Sequence, residues 1–199
     1  PPPPPPPPPP VTSPTPPPPT PSPTPSPTPT PTSWPREGSH VSYRVHVGEG
    51  SPDGSYDADR WTNITWTYAN GDWRGECVGQ KRERLRDQPE QWTELRATFT
   101  ASDPPHWPPF NTKSPPAVGG TVEAWFLQGC GFNRLDREYA GTDSRDGAPT
   151  FVATDFDDGS PDDFRTEWSQ RTGLVLEWDW SQRHTRTTGR MTSTDAPLA

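Results

Sequence analysis

The sequence has little lysine, methionine or cysteine: of 199 residues, two are Lys (Lys81 and Lys113), one is Met and two are Cys. Its four histidines, His40, His46, His106 and His184, lie far apart, and none has HExxH or paired-ligand spacing, so the common zinc patterns are absent. There is no GxSxG elbow, and nothing marks a serine as a nucleophile. The 26 Asp and Glu residues offer many carboxylate pairs for glycoside hydrolysis, but no feature selects one. Enzymatic action, carbohydrate-active if any, therefore ranks last among the expectations. No run approaches the roughly 18 to 20 apolar residues that a membrane-crossing helix needs. An initiator Met and a signal peptide are also missing, and a chain opening on PPPPPPPPPP reads as processed or truncated, with its anchor or export signal expected upstream.

Residues 1–33 carry 21 of the 33 prolines and otherwise only Thr, Ser and Val11. With almost no apolar side chain to bury and a backbone donor missing at every proline, this tract is expected to be a solvated, polyproline II-like stalk. The net charge of −8 belongs wholly to residues 34–199, because the first 33 are uncharged. An acidic domain repels phosphate backbones, which argues against nucleic acid as a partner.

All ten Trp, seven Phe and four Tyr fall in residues 34–199, so aromatic volume replaces much of the scarce aliphatic volume of a single core. In an exported protein, Cys77 and Cys130 are expected to form one disulfide, the alternative being two buried thiols. Closing a loop of about 54 residues would stabilise the fold by roughly 4 kcal/mol.

Strand patterns dominate. Val41, Tyr43, Val45 and Val47 alternate with polar residues, as do Ile64, Trp66 and Tyr68. Asn70-Gly71 is a type I′ hairpin signal, with a return strand through Trp73, Gly75 and Cys77. Further strands are read in LRATFT, TVEAWFL, TFVAT and FRTEW, in TGLVLEWDW with Leu174, Leu176, Trp178 and Trp180 on one face, and in TRTTGRMTST. The proline-dense residues 103–116 read as an irregular loop, and KRERLRDQPEQW as a short helix. The expected fold is mostly β: a single antiparallel sandwich or half-open curved-sheet barrel of about eight strands, residues 34–199, behind the proline-rich tract.

The segment TDFDDGSPDDF places Asp155, Asp157, Asp158, Asp162 and Asp163 around a glycine and a proline. No register fits an EF-hand: with Gly159 at position 6, Phe156 falls at 3 and Arg165 at 12. A solvated turn is the leading expectation and a non-EF calcium loop the minor one. SPDGSYDAD is a weaker acidic stretch. GEGSPDG has the wrong spacing and charge for a phosphate loop. Asn63-Ile64-Thr65 is an N-glycosylation sequon on the polar face of its strand. Exposed Trp faces stack on sugars or enter lipid surfaces. Trp107 and Trp180 are candidates, and Trp66 and Trp178 serve if the sheet encloses a ligand, with core packing as their simpler role.

PTPSPTPSPTPTPT resembles the linkers that tether carbohydrate-binding modules of secreted polysaccharidases. FRTEWSQRTGLVLEWDWSQRHTRTTGRMTSTDAPL, residues 164–198, is similar to the C-terminal part of lipoprotein-carrier-like envelope lipoproteins, through Trp168, Thr172, Gly173, Leu174, Leu176 and Trp178. That resemblance implies a curved antiparallel sheet whose concave face, lined here by Trp66, Phe126, Leu176 and Trp178, holds an acyl chain or a helix.

The expectation is a non-enzymatic, extracytoplasmic β domain on a stalk, interacting with envelope or surface components or with other copies of itself. The rival is a binding module for a lipid or a glycan.

Overall fold

The computed structural model describes residues 1–4, 34–100, 108–156 and 162–198. The chain divides into Pro1–Thr32 and Ser33–Ala199. Of the first unit only residues 1–4 are described, so the stalk expectation lies almost entirely outside the described residues, as do Trp107, Asp157 and Asp158.

Among the described residues the second unit forms ten strands and no helix. They are β1 (His40–Gly50), β2 (Tyr56–Ala69), β3 (Asp72–Leu85), β4 (Gln91–Phe99), β5 (Thr121–Gln128), β6 (Gly131–Arg145), β7 (Ala148–Thr154), β8 (Asp163–Ser169), β9 (Val175–Gln182) and β10 (Thr185–Thr194). All pair antiparallel in one sheet, in the order β4-β3-β2-β1-β10-β9-β8-β7-β6-β5. Two meanders, β1 to β4 and β5 to β10, are thus joined where the last strand pairs with the first.

Of the two expected architectures, the structure adopts the curved sheet. Its ends fold toward each other: the Cys77–Cys130 disulfide ties β3 to the β5–β6 turn, with Cα atoms 5.7 Å apart. Beside it, the Thr62 hydroxyl donates to the Gly129 carbonyl at 3.2 Å. Trp66 on β2 meets Phe132 on β6 edge-on at 5.6 Å, and Phe126 on β5 meets Trp180 on β9 at 5.6 Å.

The enclosed side is filled by the residues that alternation places there. Val41, Tyr43, Val45 and Val47 from β1 are buried, as are Ile64, Trp66 and Cys77. Tyr43 sits between two indoles, 5.9 Å from Trp66 and 5.8 Å from Trp178. Its hydroxyl donates to the Val175 carbonyl at 2.8 Å, and burial pushes its pKa well above the usual tyrosine value. One end of the core is closed by Trp34, 5.5 Å from Trp73 and 6.2 Å from Phe110. Asp195 holds that end, accepting from Trp34 Nε1 at 3.3 Å, Ser39 Oγ at 2.9 Å and the His40 amide at 2.9 Å.

The structure departs from the sequence reading at three places. KRERLRDQPEQW forms the end of β3, a turn with Asp87 at φ 62°, and the start of β4, not a helix. β6 is a strand with no counterpart in the reading. In β9, a register shift opposite Glu167/Trp168 puts Val175 in the core cluster and leaves Leu176 outside it. There Leu176 lines an outer groove with Arg44, Arg145, Arg190 and Met191. The Asn70-Gly71 turn has both residues at positive φ, 55° and 82°, which is what a type I′ hairpin demands.

Candidate functional site

Among the described residues, the side chains expected to line a concave ligand site are packed against one another. Trp66 and Trp178 are 0% and 1% exposed, Phe126 is fully buried and Trp180 nearly so. Their rings pack on Tyr43, Phe99, Phe132 and Phe164. As ligand-binding candidates Trp66, Trp178 and Trp180 are therefore corrected to core residues: Trp66 in phase with Ile64, and Trp178 and Trp180 inward beyond the irregularity in β9, fill the space an acyl chain would need.

The exposed aromatics lie on the opposite, outer face. Trp61 on β2 and Trp92 on β4 are 40% and 56% exposed. Strand parity sends them outward, because Trp61 is out of phase with the buried Thr62, Ile64 and Trp66 and Trp92 is out of phase with Leu95, Ala97 and Phe99. His46, opposite Trp61 in register, completes a three-ring stack. His46 and Trp61 lie 5.3 Å apart with planes at 14°, and Trp61 and Trp92 lie 5.9 Å apart with planes at 18°. At these spacings the rings are offset face to face. One face of Trp92 meets Trp61, and the other looks past the last strand of the sheet.

A polar frame fixes the stack. The Trp92 indole N–H donates to Glu90 at 2.7 Å, and His46 Nε2 is 2.8 Å from Asp59 Oδ1. Arg82, opposite both Asp59 and Trp92 in register, binds Asp59, Asp57 at 3.0 Å and Glu90 at 3.5 Å. Partial burial raises the Asp59 pKa, but the bonds from His46 and Arg82 outweigh it and hold the carboxyl below its usual value. The result is a rigid aromatic ledge flanked by Gln80, Glu90 and Glu94, groups able to bond hydroxyls.

Asn63 is exposed on the outer face of β2, two residues from Trp61, and the Thr65 hydroxyl of its sequon lies 3.0 Å from that of Ser42. Asp155 pairs with Arg137 at 3.0 Å. Burial raises its pKa against the pull of Arg137, with Asp163 and Asp162 adding to the rise. Asp162 accepts from Gln182 at 3.0 Å. Asp163 lines an acidic hollow of about 640 Å³ with Glu49, Asp57, Asp59 and Asp179. Among the described residues no three His, Cys, Asp or Glu side chains converge to hold a metal ion. No helix among them is long and apolar enough to cross a membrane.

No family model and no curated protein matches the chain. Among solved structures, the chain is similar to LprF from Mycobacterium bovis, with 12% identity and a TM-score of 0.35, over 81% of this chain and 88% of that one. It is also similar to a beta-barrel-like protein of the domain of unknown function DUF1849 from Brucella abortus, with 9% identity and a TM-score of 0.36, over 81% of this chain and 99% of that one.

Proposed function

We propose that the domain is an extracytoplasmic binding module that takes carbohydrate on its outer sheet face, by stacking a sugar ring on the open end of the His46, Trp61 and Trp92 ladder. The observation that carries this reading is the ladder itself: two large indole rings held near-parallel and exposed, at a surface otherwise rich in charge. An exposed aromatic patch of this kind costs solubility unless it has a use. The carbohydrate C–H face complements an indole face, and the flanking carboxylates and amides suit its hydroxyls. The filled interior supports an external site over an enclosed lipid. The disulfide supports an oxidising compartment, and the Pro/Thr tract suits a spacer. The module acts by binding and not by catalysis.

Isothermal titration of the full chain with soluble fragments of glucan, xylan, mannan and uronate polymers tests the reading. A ring stack contributes about 0.5–1.5 kcal/mol, so Trp92→Ala should weaken binding by about 2- to 12-fold while leaving the fold intact. Absence of binding across the set, or binding indifferent to Trp92→Ala, would overturn it.

A further inference from the structure

The sheet has two ends, and they are treated differently. At β5, the Trp125 amide donates to the Asn111 side chain at 2.9 Å, so a loop residue occupies that edge. At β4, one edge pairs with β3 from Gly75 opposite Phe99 to Glu83 opposite Gln91, and no described strand pairs with the other. Nor does any described backbone hydrogen bond outside the β3 ladder involve Gln91–Phe99. The strand is nine residues long, contains no Pro and no Lys, and pairs with β3 without a bulge. Of the usual means of blunting an edge, Pro, Lys, a bulge and a very short strand are missing, and the charges present are the opposite pair Glu94 and Arg96.

The outward side chains explain how such an edge is satisfied. In an antiparallel pair, directly opposed residues share a face, so two copies of β4 can meet only in registers that keep Trp92, Glu94, Arg96 and Thr98 on the outer side. Centring the two-fold axis on Leu95 sets Glu94 against Arg96 of the other copy, twice. It also brings the two Leu95 side chains together on the inner side and Trp92 over Thr98. A slip of one pleat in one direction opposes Glu94 to Glu94, and in the other direction Arg96 to Arg96. Like charges directly opposed are destabilising. One register is attractive and both of its neighbours are repulsive, which is the signature of a specified pairing.

We propose that β4 is a homodimer interface, through which two copies of this chain join their sheets antiparallel about Leu95. All nine residues then pair, giving about eight to ten main-chain hydrogen bonds, within the usual complement of a specific interface. The pairing is isologous, as two-fold symmetry requires. It does not rest on the carbohydrate reading and competes with it, because Thr98 of the second copy comes beside Trp92 at the open end of the ladder.

Sedimentation equilibrium of the full chain tests it, since the mass is insensitive to any elongation of the proline tract. The wild type is expected at twice the 22.1 kDa chain mass. Glu94→Arg and Arg96→Glu should each weaken association at least 10-fold, because each opposes like charges at both symmetric positions. The double variant should restore the dimer, and so should a one-to-one mixture of the two single variants, in which opposite charges again face each other. That rescue also separates lost pairing from misfolding. A monomeric wild type, or a dimer indifferent to both reversals, or single variants rescued by neither combination, would overturn the proposal.

Discussion

Trp178 on β9 lies flat across Gly189, its direct partner on β10, so closely that a β-carbon on Gly189 would overlap Cζ2, Cη2 and Cε2 of the indole. The arrangement recurs on the other side of Tyr43. There Trp66 is paired with Gly75, where a β-carbon would stand 2.7 Å from Trp66 Nε1 and 2.7 Å from Phe99 Cδ2. Each large ring is thus admitted to the core by a residue without a side chain in the neighbouring strand, and Tyr43 is clamped between the two indoles. Gly189→Ala should destabilise the domain by about 1–3 kcal/mol through overpacking, lowering the melting midpoint by about 3–10 °C at this size. Trp178→Leu costs stability alone but should make Gly189→Ala nearly neutral, because the ring that clashes is gone. Urea unfolding of the four proteins of that cycle checks the coupling; additive effects would show that the ring moves aside freely.

The Cys77–Cys130 bridge spans 53 positions and links strands at opposite ends of the sheet order. Its loss should open the curved sheet where the β5–β6 turn lies against β3. A loop of that length predicts about 4 kcal/mol of stabilisation. Cys77→Ala with Cys130→Ala is expected to lower stability by roughly that amount in urea unfolding. The measurable sign of opening is faster hydrogen exchange in β5 and β6 than in β1, β9 and β10. A uniform acceleration would place the bridge's effect in the unfolded chain alone.

How legible these features are in the sequence depends on whether parity or pairing decides them. Val41, Tyr43, Val45 and Val47 name the buried face of β1 directly, since period-2 alternation is a local property. Trp61 is legible in the same way as an outward residue, being out of phase with Ile64 and Trp66, whereas Trp92 is hidden because the charge-rich KRERLRDQPEQW that ends on it reads as a short helix and not as the start of the strand through Leu95 and Phe99. That they stack on one another is not legible, because it depends on the register of β2, β3 and β4 together. β6 is hidden because its apolar residues Phe132, Leu135 and Tyr139 fall three and four apart, a spacing closer to helical than extended. Leu176 is misassigned for a different reason: the bulge opposite Glu167 and Trp168 shifts phase by one residue, and a one-residue shift exchanges faces. The acidic segment at Asp155 reads as a solvated turn, but its first carboxylate is drawn into the protein by Arg137, a contact between residues distant in sequence.

Glu167 gives a pH prediction. Its side chain is 7% exposed and binds Arg145 at 2.9 Å and Arg165 at 2.6 Å. Burial alone raises its pKa, but the bonds and charges of the two arginines outweigh burial and hold it below the usual glutamate value. A carboxyl depressed in the folded state contributes stability that is fully present above its unfolded pKa, about 4.3. That contribution is lost as pH falls through the folded value. Glu167→Gln should therefore cost about 1–3 kcal/mol at pH 7. The gap to wild type should narrow steadily as urea unfolding is repeated from pH 5 down to pH 3. A gap that stays constant with pH would mean that the cost is steric.

The aromatic ladder makes a prediction about coupling that is independent of any ligand. Trp61 is the middle ring, stacked on both His46 and Trp92, whereas Trp92 has one stacked partner. Trp61→Ala removes two ring contacts and should cost more than Trp92→Ala, which removes one and sits on the more exposed strand. Since the two rings share a contact, the double variant should be less destabilised than the sum of the singles by about 0.5–1.5 kcal/mol. His46→Ala should couple to Trp61→Ala and only weakly to Trp92→Ala, because Trp61 stands between them. Double-mutant cycles by urea unfolding read all three couplings. Equal coupling of His46 to both indoles would contradict a serial stack and point to a shared electrostatic effect through Asp59 and Arg82, which bind His46 on one side and Glu90 on the other.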